Sequence, residues 1–426
     1  MNEFSRRHFL KAIGAAGAVS SLGLLGFSTT AAANVKGKVI IIGGGFGGAT
    51  CANYIKRYAP GTDVTLVEPN RQFVTCPFSN TVIGGLKTID YITHNYDNLK
   101  TKHKITVVHD TVMSIDGSSR KVILKGGKTL SYDRLVVSPG VLFDWNAIEG
   151  YNEEVSQTIP HAWKAGEQTL LLRKQLESMK DGGLFIISIP KKPFRAPPAP
   201  YERASLVANY FTEHKPKSKI LILDANASTD EVALFKRAWG KTYNNMIEWV
   251  GNAEVTQVDA KAMNVKTGGG DKHEGNVINI VPPQKAGHIA QTSGLADKSG
   301  WCAVNQRVFE STLIKNVYVI GDSCIAGDMP KTGHAASSQA KICAAAIVSE
   351  MNGNQMPDPV LNSSIYSLIT PKYGTSNVGV YRIKGDKLAY VSGGISSNKP
   401  NRKTQLKEAK FAAGWYKSIT SEMFAN

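Results

Sequence analysis

What this chain of 426 residues lacks narrows its chemistry first. None of its five cysteines, at 51, 76, 302, 324 and 343, falls in a C-x-x-C spacing. Neither a structural zinc site nor a thioredoxin-type redox pair is indicated, and no metal site is expected. No Lys/Arg-dense run with interleaved aromatics occurs, so nucleic acid is not expected as a partner despite a formal net charge of +16. That excess leaves an anionic membrane, an acidic protein or a merely solvated basic surface as its meaning. Past residue 33 no apolar run approaches the ~20 residues that a membrane span needs, and a membrane is not expected as a partner.

The leader is a separate matter. Ser5-Arg6-Arg7-His8-Phe9-Leu10-Lys11 precedes an apolar stretch over residues 12–27 and then Ala31-Ala32-Ala33. Twin arginines, a mild apolar region and an A-x-A-like site read as a twin-arginine export signal over 1–33, with a periplasmic chain starting near Asn34. A short membrane anchor is the other reading, but the apolar core is too short to span. An odd cysteine count in an oxidising compartment suggests that at least one thiol is otherwise engaged.

What is present centres on a β-branched run, residues 39–42, ending in Gly43-Gly44-Gly45-Phe46-Gly47-Gly48. Gly43, Gly45 and Gly48 fill the Gly-x-Gly-x-x-Gly positions: a tight turn, close approach of backbone to a pyrophosphate, and close helix–strand packing. Such turns are common, so the motif gains weight from a second strand over 63–67 that ends in Glu68. A carboxylate there takes the ribose hydroxyls of an adenine dinucleotide. Gly43, Gly45, Phe46, Gly48 and Glu68 are the candidate residues of this half. Cys76 follows in a loop where an isoalloxazine could lie if the nucleotide is FAD; by itself it reads as an ordinary buried thiol. Residues 132–140 form a short apolar strand ending in Ser138-Pro139-Gly140, as at a crossover out of an FAD domain. Late in the chain, residues 316–322 deliver Asp322 after Gly321, the place of a ribitol-binding carboxylate. Lys331 follows, and then an alanine-rich helix whose N-terminus favours negative charge on the flavin.

A second strand pattern, Leu184–Ile189, should run into another glycine-rich turn if it served a nicotinamide. It meets residues 190–200 instead, which hold five prolines. Proline has no N–H to offer a phosphate and blocks close approach. A second Rossmann-like domain without a nicotinamide site is expected. The expected division is FAD domain 34–148 with 291–361, second domain 149–290, and C-terminal interface domain 362–426.

These residues carry a resemblance. Gly43 to Thr50, Thr75-Cys76 with Ser79-Asn80, residues 161–169, Pro200-Tyr201-Glu202-Arg203-Ala204-Ser205, Gly300-Trp301-Cys302, residues 320–326, Tyr366-Ser367-Leu368 and Gly414-Trp415-Tyr416 all match. The chain resembles the flavoprotein subunit of flavocytochrome c sulfide dehydrogenase over nearly its whole length. The resemblance implies an α/β, glutathione-reductase-like fold with two dinucleotide-binding domains and a C-terminal interface domain. It implies a periplasmic enzyme whose heme resides on a c-type cytochrome partner subunit. It also implies that Cys76 forms a thioether to the flavin and that Glu202 accepts a proton beside it. The family's redox disulfide is missing, because its two cysteine positions hold Ala196 and Ile365. A periplasmic FAD dehydrogenase is therefore expected. It passes electrons from a small donor, a sulfur compound among the candidates but sulfide disfavoured, to a c-type cytochrome. The alternatives are a quinone-coupled enzyme resembling sulfide:quinone reductase and a non-catalytic FAD-containing partner.

Overall fold

The computed structural model describes residues 35–425, so the leader and its cleavage site lie outside the described residues. Strand β1 (Lys38–Ile42) is buried on both faces, as its run of Val and Ile requires of a central parallel strand. The glycine turn leads into α1 (Gly48–Tyr58), and β2 (Asp63–Val67) pairs in parallel with β1. Strand β3 (Thr106–Val108) adds outside β2, and β4 (Arg134–Val137) lies on the other side of β1.

The chain then leaves this sheet through Val141–Phe143, which pairs antiparallel with Gln284–Ala286 on the way back. The two crossings therefore run side by side. Between them lie β5 (Leu184–Ile189), α2 (Ala199–His214), β6 (Lys219–Asp224), α3 (Asp230–Thr242), β7 (Ile247–Gly251) and β8 (Val277–Ile280). The second sheet is parallel in the order β7-β6-β5-β8. On returning, β9 (Val317–Val319) completes the first sheet in the order β9-β4-β1-β2-β3. It feeds α4 (Gly333–Met351), which packs against α1.

The remainder is an antiparallel meander, β10 (Val360–Thr370), β11 (Tyr373–Lys384) and β12 (Lys387–Ile395), followed by α5 (Arg402–Phe424). The aromatic end of α5 is driven inward. Phe424 is fully buried in the first domain's core, stacked on His94 at 4.8 Å and edge-on to Tyr96. Tyr416 places its hydroxyl 2.7 Å from Thr75 Oγ1 and 3.1 Å from His94 Nε2. The last helix thus clamps the segment that carries Cys76.

Candidate functional site

The glycine turn is sterically required. Gly43 sits at φ +94°, and a Cβ there would lie 2.3 Å from the Ser138 carbonyl. A Cβ on Gly48 would stand 1.9 Å from the Gly43 carbonyl, so only glycine lets α1 start this close to β1. Gly45 differs: a Cβ would meet nothing nearer than the Phe73 ring at 3.5 Å. The backbone there borders open space, as a phosphate cradle at a helix N-terminus needs. Glu68 is fixed in place, its Oε2 accepting from Gly44 N at 2.8 Å and its Oε1 from Asn70 N and Nδ2 at 2.9 and 2.7 Å.

The second edge of the cradle comes from β9 and the loop after it. Gly321 turns at φ +76° and donates its N–H to Gln339 Oε1 at 2.7 Å. This aims Asp322 inward, where its Oδ1 is buried with no hydrogen-bond partner among the described residues. Burial pushes this carboxyl up, while Arg195 and Lys331 hold it down. An orphaned carboxylate oxygen is costly unless a ligand hydroxyl completes it, which fits the ribitol of a flavin. Ser138 lies between the two turns, its Oγ 3.4 Å from where a Gly321 Cβ would be. Gly140 turns at φ +69°, and its carbonyl accepts from Gly287 N at 3.0 Å and from Ser323 Oγ. Phe46 packs under the start of α4, 3.1 Å from a Cβ built on Gly333. Lys331 is brought to this loop, but its ammonium donates to the Asp322 and Cys324 carbonyls at 2.8 and 2.9 Å, over the Trp301 ring. It shapes the Asp322 loop from behind.

Cys76 is the half-buried thiol of the five free cysteines; Cys51, Cys302, Cys324 and Cys343 are buried. Burial pushes Cys302 and Cys324 up to about 12, which makes them inert. The Cys76 carbonyl accepts from Ser79 N and Oγ at 3.0 and 2.7 Å, opening the short helix Ser79–Ile83. Its Sγ lies 3.6 Å from the Trp163 carbonyl, which also accepts from the Arg195 guanidinium.

One turn later that helix presents Asn80, which joins Cys76's segment to Glu202 on α2. Asn80 Nδ2 donates to Glu202 Oε2 at 2.8 Å, and Leu368 N on β10 donates to Oε1 at 2.9 Å. Arg203 Nε donates to Asn80 Oδ1 at 3.1 Å, which fixes the amide so that its NH₂ faces Glu202. The rest of the guanidinium is held by the His161 and Ala162 carbonyls and by Asn279 Oδ1, and burial pulls it down to about 9. Burial pushes Glu202 up; Asn80, Leu368 and the Arg203 charge oppose it. Asn80 and Arg203 lie in segments that carry the resemblance, which gives them no role, and Arg195 lies in the proline-rich loop. For Arg203 the further signal is a second charge beside Glu202 near the start of a largely apolar helix.

Ala196 and Ile365 stand where the resemblance places the family's two cysteines, and Ile365 on β10 lines a small pocket with Leu234 and Phe235 of α3. Ala196 N donates to the Lys331 carbonyl at 2.8 Å, while Ser363, two residues before Ile365, meets Thr332 Oγ1 at 3.1 Å. In the second domain, Asp224 ends β6 much as Glu68 ends β2. It is fully buried and accepts from Tyr201 OH at 2.7 Å, Trp249 Nε1 at 3.0 Å and Asn226 N at 2.9 Å.

Comparison with known proteins accords with this geometry. Residues 37–172 match the pyridine nucleotide-disulphide oxidoreductase family. Residues 169–282 match the central domain of the sulfide dehydrogenase (flavocytochrome c) flavoprotein chain, and 357–424 the flavin-binding domain of flavocytochrome c sulphide dehydrogenase. Residues 3–23 match the twin-arginine translocation signal, which directs export to the periplasm. The mitochondrial sulfide:quinone oxidoreductase of Dictyostelium discoideum is 25% identical over 331 residues, 74% of this chain and 71% of its own length. The solved sulfide:quinone oxidoreductase of Aquifex aeolicus shares the fold, with TM-score 0.73 at 19% identity over 91% of this chain and 92% of that one. Putidaredoxin reductase in its putidaredoxin complex gives TM-score 0.66 at 15% identity over 91% of this chain and 98% of that one. The sulfide dehydrogenase (flavocytochrome c) flavoprotein chain of Chlorobaculum thiosulfatiphilum is 58% identical over 45 residues, 94% of that sequence and 11% of this one. With that identity and two of the family's domains in place, this chain belongs to the flavoprotein chains of flavocytochrome c sulfide dehydrogenase, a family of flavin-dependent oxidoreductases.

Proposed function

We propose that this chain is the flavin subunit of a periplasmic dehydrogenase that takes electrons from a small donor and passes them to a c-type cytochrome. FAD is held through Cys76, and Glu202 is the proton acceptor. The observation that carries this reading is the short segment 76–80, which ties the candidate attachment thiol to the candidate base through Asn80. FAD, where bound, would supply the redox chemistry between a two-electron donor and a one-electron acceptor.

The chain's own residues do the rest. Gly43, Gly45 and Gly48 with the N-terminus of α1 receive the pyrophosphate, Glu68 the ribose, and Asp322 the ribitol. Glu202 is ready to take a proton at its carboxylate because Asn80 and Leu368 hold it as an acceptor while burial raises its affinity for H⁺. Ala196 and Ile365 offer no sulfur for a donor to attack. The donor therefore delivers its electrons without a covalent relay, which disfavours sulfide. The second domain holds no nicotinamide: residues 190–200 lack a phosphate turn, and Asp224 is sealed by Tyr201, Trp249 and Asn226.

The alternative of a quinone acceptor finds less support. It calls for an exposed apolar face at the C-terminus. In α5 the residues Ala412, Tyr416, Ile419, Met423 and Phe424 face inward, leaving Phe411 exposed. The acceptor is tested directly by reducing the holoprotein anaerobically with dithionite and mixing it with cytochrome c or a short-chain quinone. Fast reoxidation by cytochrome c and slow reoxidation by quinone are expected; the reverse order contradicts this function.

A further inference from the structure

Away from the Cys76 side, three elements enclose a cleft of about 340 Å³. They are the end of α3, the turn between β10 and β11, and the first turn of α5. Arg237, Lys241, Lys372 and Arg402 line it, together with Thr370 and Asn398, and no carboxylate does. None of the four cations forms an ion pair with a carboxylate among the described residues. Arg237 donates to the Asn398 side chain, which holds the loop before α5 against α3. Glu408, one turn further into α5, is buried and accepts from Ser396 Oγ at 2.7 Å.

Four like charges facing one concavity repel each other, and elsewhere on the surface several cations are neutralised by acidic neighbours. The cleft also receives the N-terminus of a 23-residue helix. Asn401 satisfies the N–H groups of Thr404 and Gln405 at 2.9 and 3.0 Å. Those of Arg402 and Lys403 are left, as the first N–H groups of any helix are, to an outside acceptor. Guanidinium forks, ammonium groups, free backbone N–H groups and a threonine hydroxyl together suit a small tetrahedral oxyanion of charge two or more.

We propose that this cleft binds such an oxyanion, of the sulfate, thiosulfate or phosphate type. It is separate from the flavin attachment. At ~1.5 Å of rise per residue, Arg402 lies about 21 Å along α5 from Tyr416, which touches Thr75. It does back onto β10, where Thr370 stands two residues beyond Leu368, but Glu202 is not among its lining residues.

The test is calorimetric titration of the holoprotein with sodium sulfate and sodium thiosulfate, against sodium chloride at matched ionic strength. One saturable site for either dianion and none for chloride is expected. The exposed pair Lys372→Gln/Arg402→Gln should weaken it at least tenfold, and Arg237→Gln alone should weaken it measurably. The control Lys125→Gln/Lys128→Gln, which removes the same charge from an exposed turn elsewhere, should leave it unchanged. Equal binding of chloride, or equal weakening in the control, would overturn the proposal. Displacement of sulfate by hexaglutamate at far lower concentration would overturn it too, by making the cleft a docking surface for an acidic protein.

Discussion

The two nucleotide-type halves of this molecule share a pattern and differ in one carboxylate each. Both begin with a buried parallel strand, β1 or β5, beside a second strand ending in an acid. Glu68 is positioned by the glycine turn itself, through Gly44 N and Asn70, so the acid and the phosphate cradle form one unit. Asp224 is instead closed off by Tyr201 from α2 and Trp249 from β7. Where the turn is glycine, the acid is tied to the turn itself; where it is a proline-rich loop, the acid is a buried fastener between α2 and β7.

The largest expected effect is on the live half. Glu202→Gln should slow reduction of the flavin by its donor on the order of 10²–10⁴-fold, the usual weight of a positioned base. The acceptor must be ionised, so the wild-type rate should rise with pH through Glu202's raised pKa, and this limb should vanish in the Gln variant. Asn80→Ala removes a donor that holds the pKa down, so it should move the limb to higher pH. A pH profile of stopped-flow reduction that is unchanged in both variants contradicts the role.

Next comes sulfide. Losing the pre-positioning of a covalent persulfide forfeits part of an advantage worth up to about 7–11 kcal/mol. Even a third of it corresponds to on the order of a hundredfold in rate. Sulfide:cytochrome c turnover should fall at least that far below a disulfide-bearing relative assayed alongside. Ala196→Cys with Ile365→Cys should raise it, provided the two sulfurs can meet, whereas either change alone should not. Parity of the unmodified chain with the relative would mean that the relay is dispensable.

The smallest effects separate the two acids. Glu68→Ala should lower flavin loading during expression, read as the flavin-to-protein absorbance ratio. Asp224→Ala should leave loading intact but cost about 1–3 kcal/mol of stability for each donor stranded by the loss, read by denaturant titration. Neither variant nor the wild type should be bleached by NADH on a catalytic timescale. Rapid bleaching of the wild type would restore a nicotinamide to the second half.

The glycine turn, Glu68, Asp322 and the proline-rich loop were legible in the sequence because each is a local event, a strand end with the residues just after it. The fold class came with the family resemblance. The Arg203–Asn80–Glu202 chain was not, since residues 122 apart meet only through the packing of α2 on the helix after Cys76. The inward burial of Phe424 was equally hidden, because the apolar face of α5 is set by which domain it lies on rather than by a strong period. Lys331 was legible as a neighbour of Asp322, but its turn toward the carbonyls depended on the loop's path.

The most direct test is where the flavin goes when the protein is denatured. After acid precipitation of the wild-type holoprotein, the yellow colour should stay in the pellet. Cys76→Ala, if it still loads FAD, should release it to the supernatant. Free flavin in the wild-type supernatant would contradict attachment through Cys76 and with it the central reading of the first half.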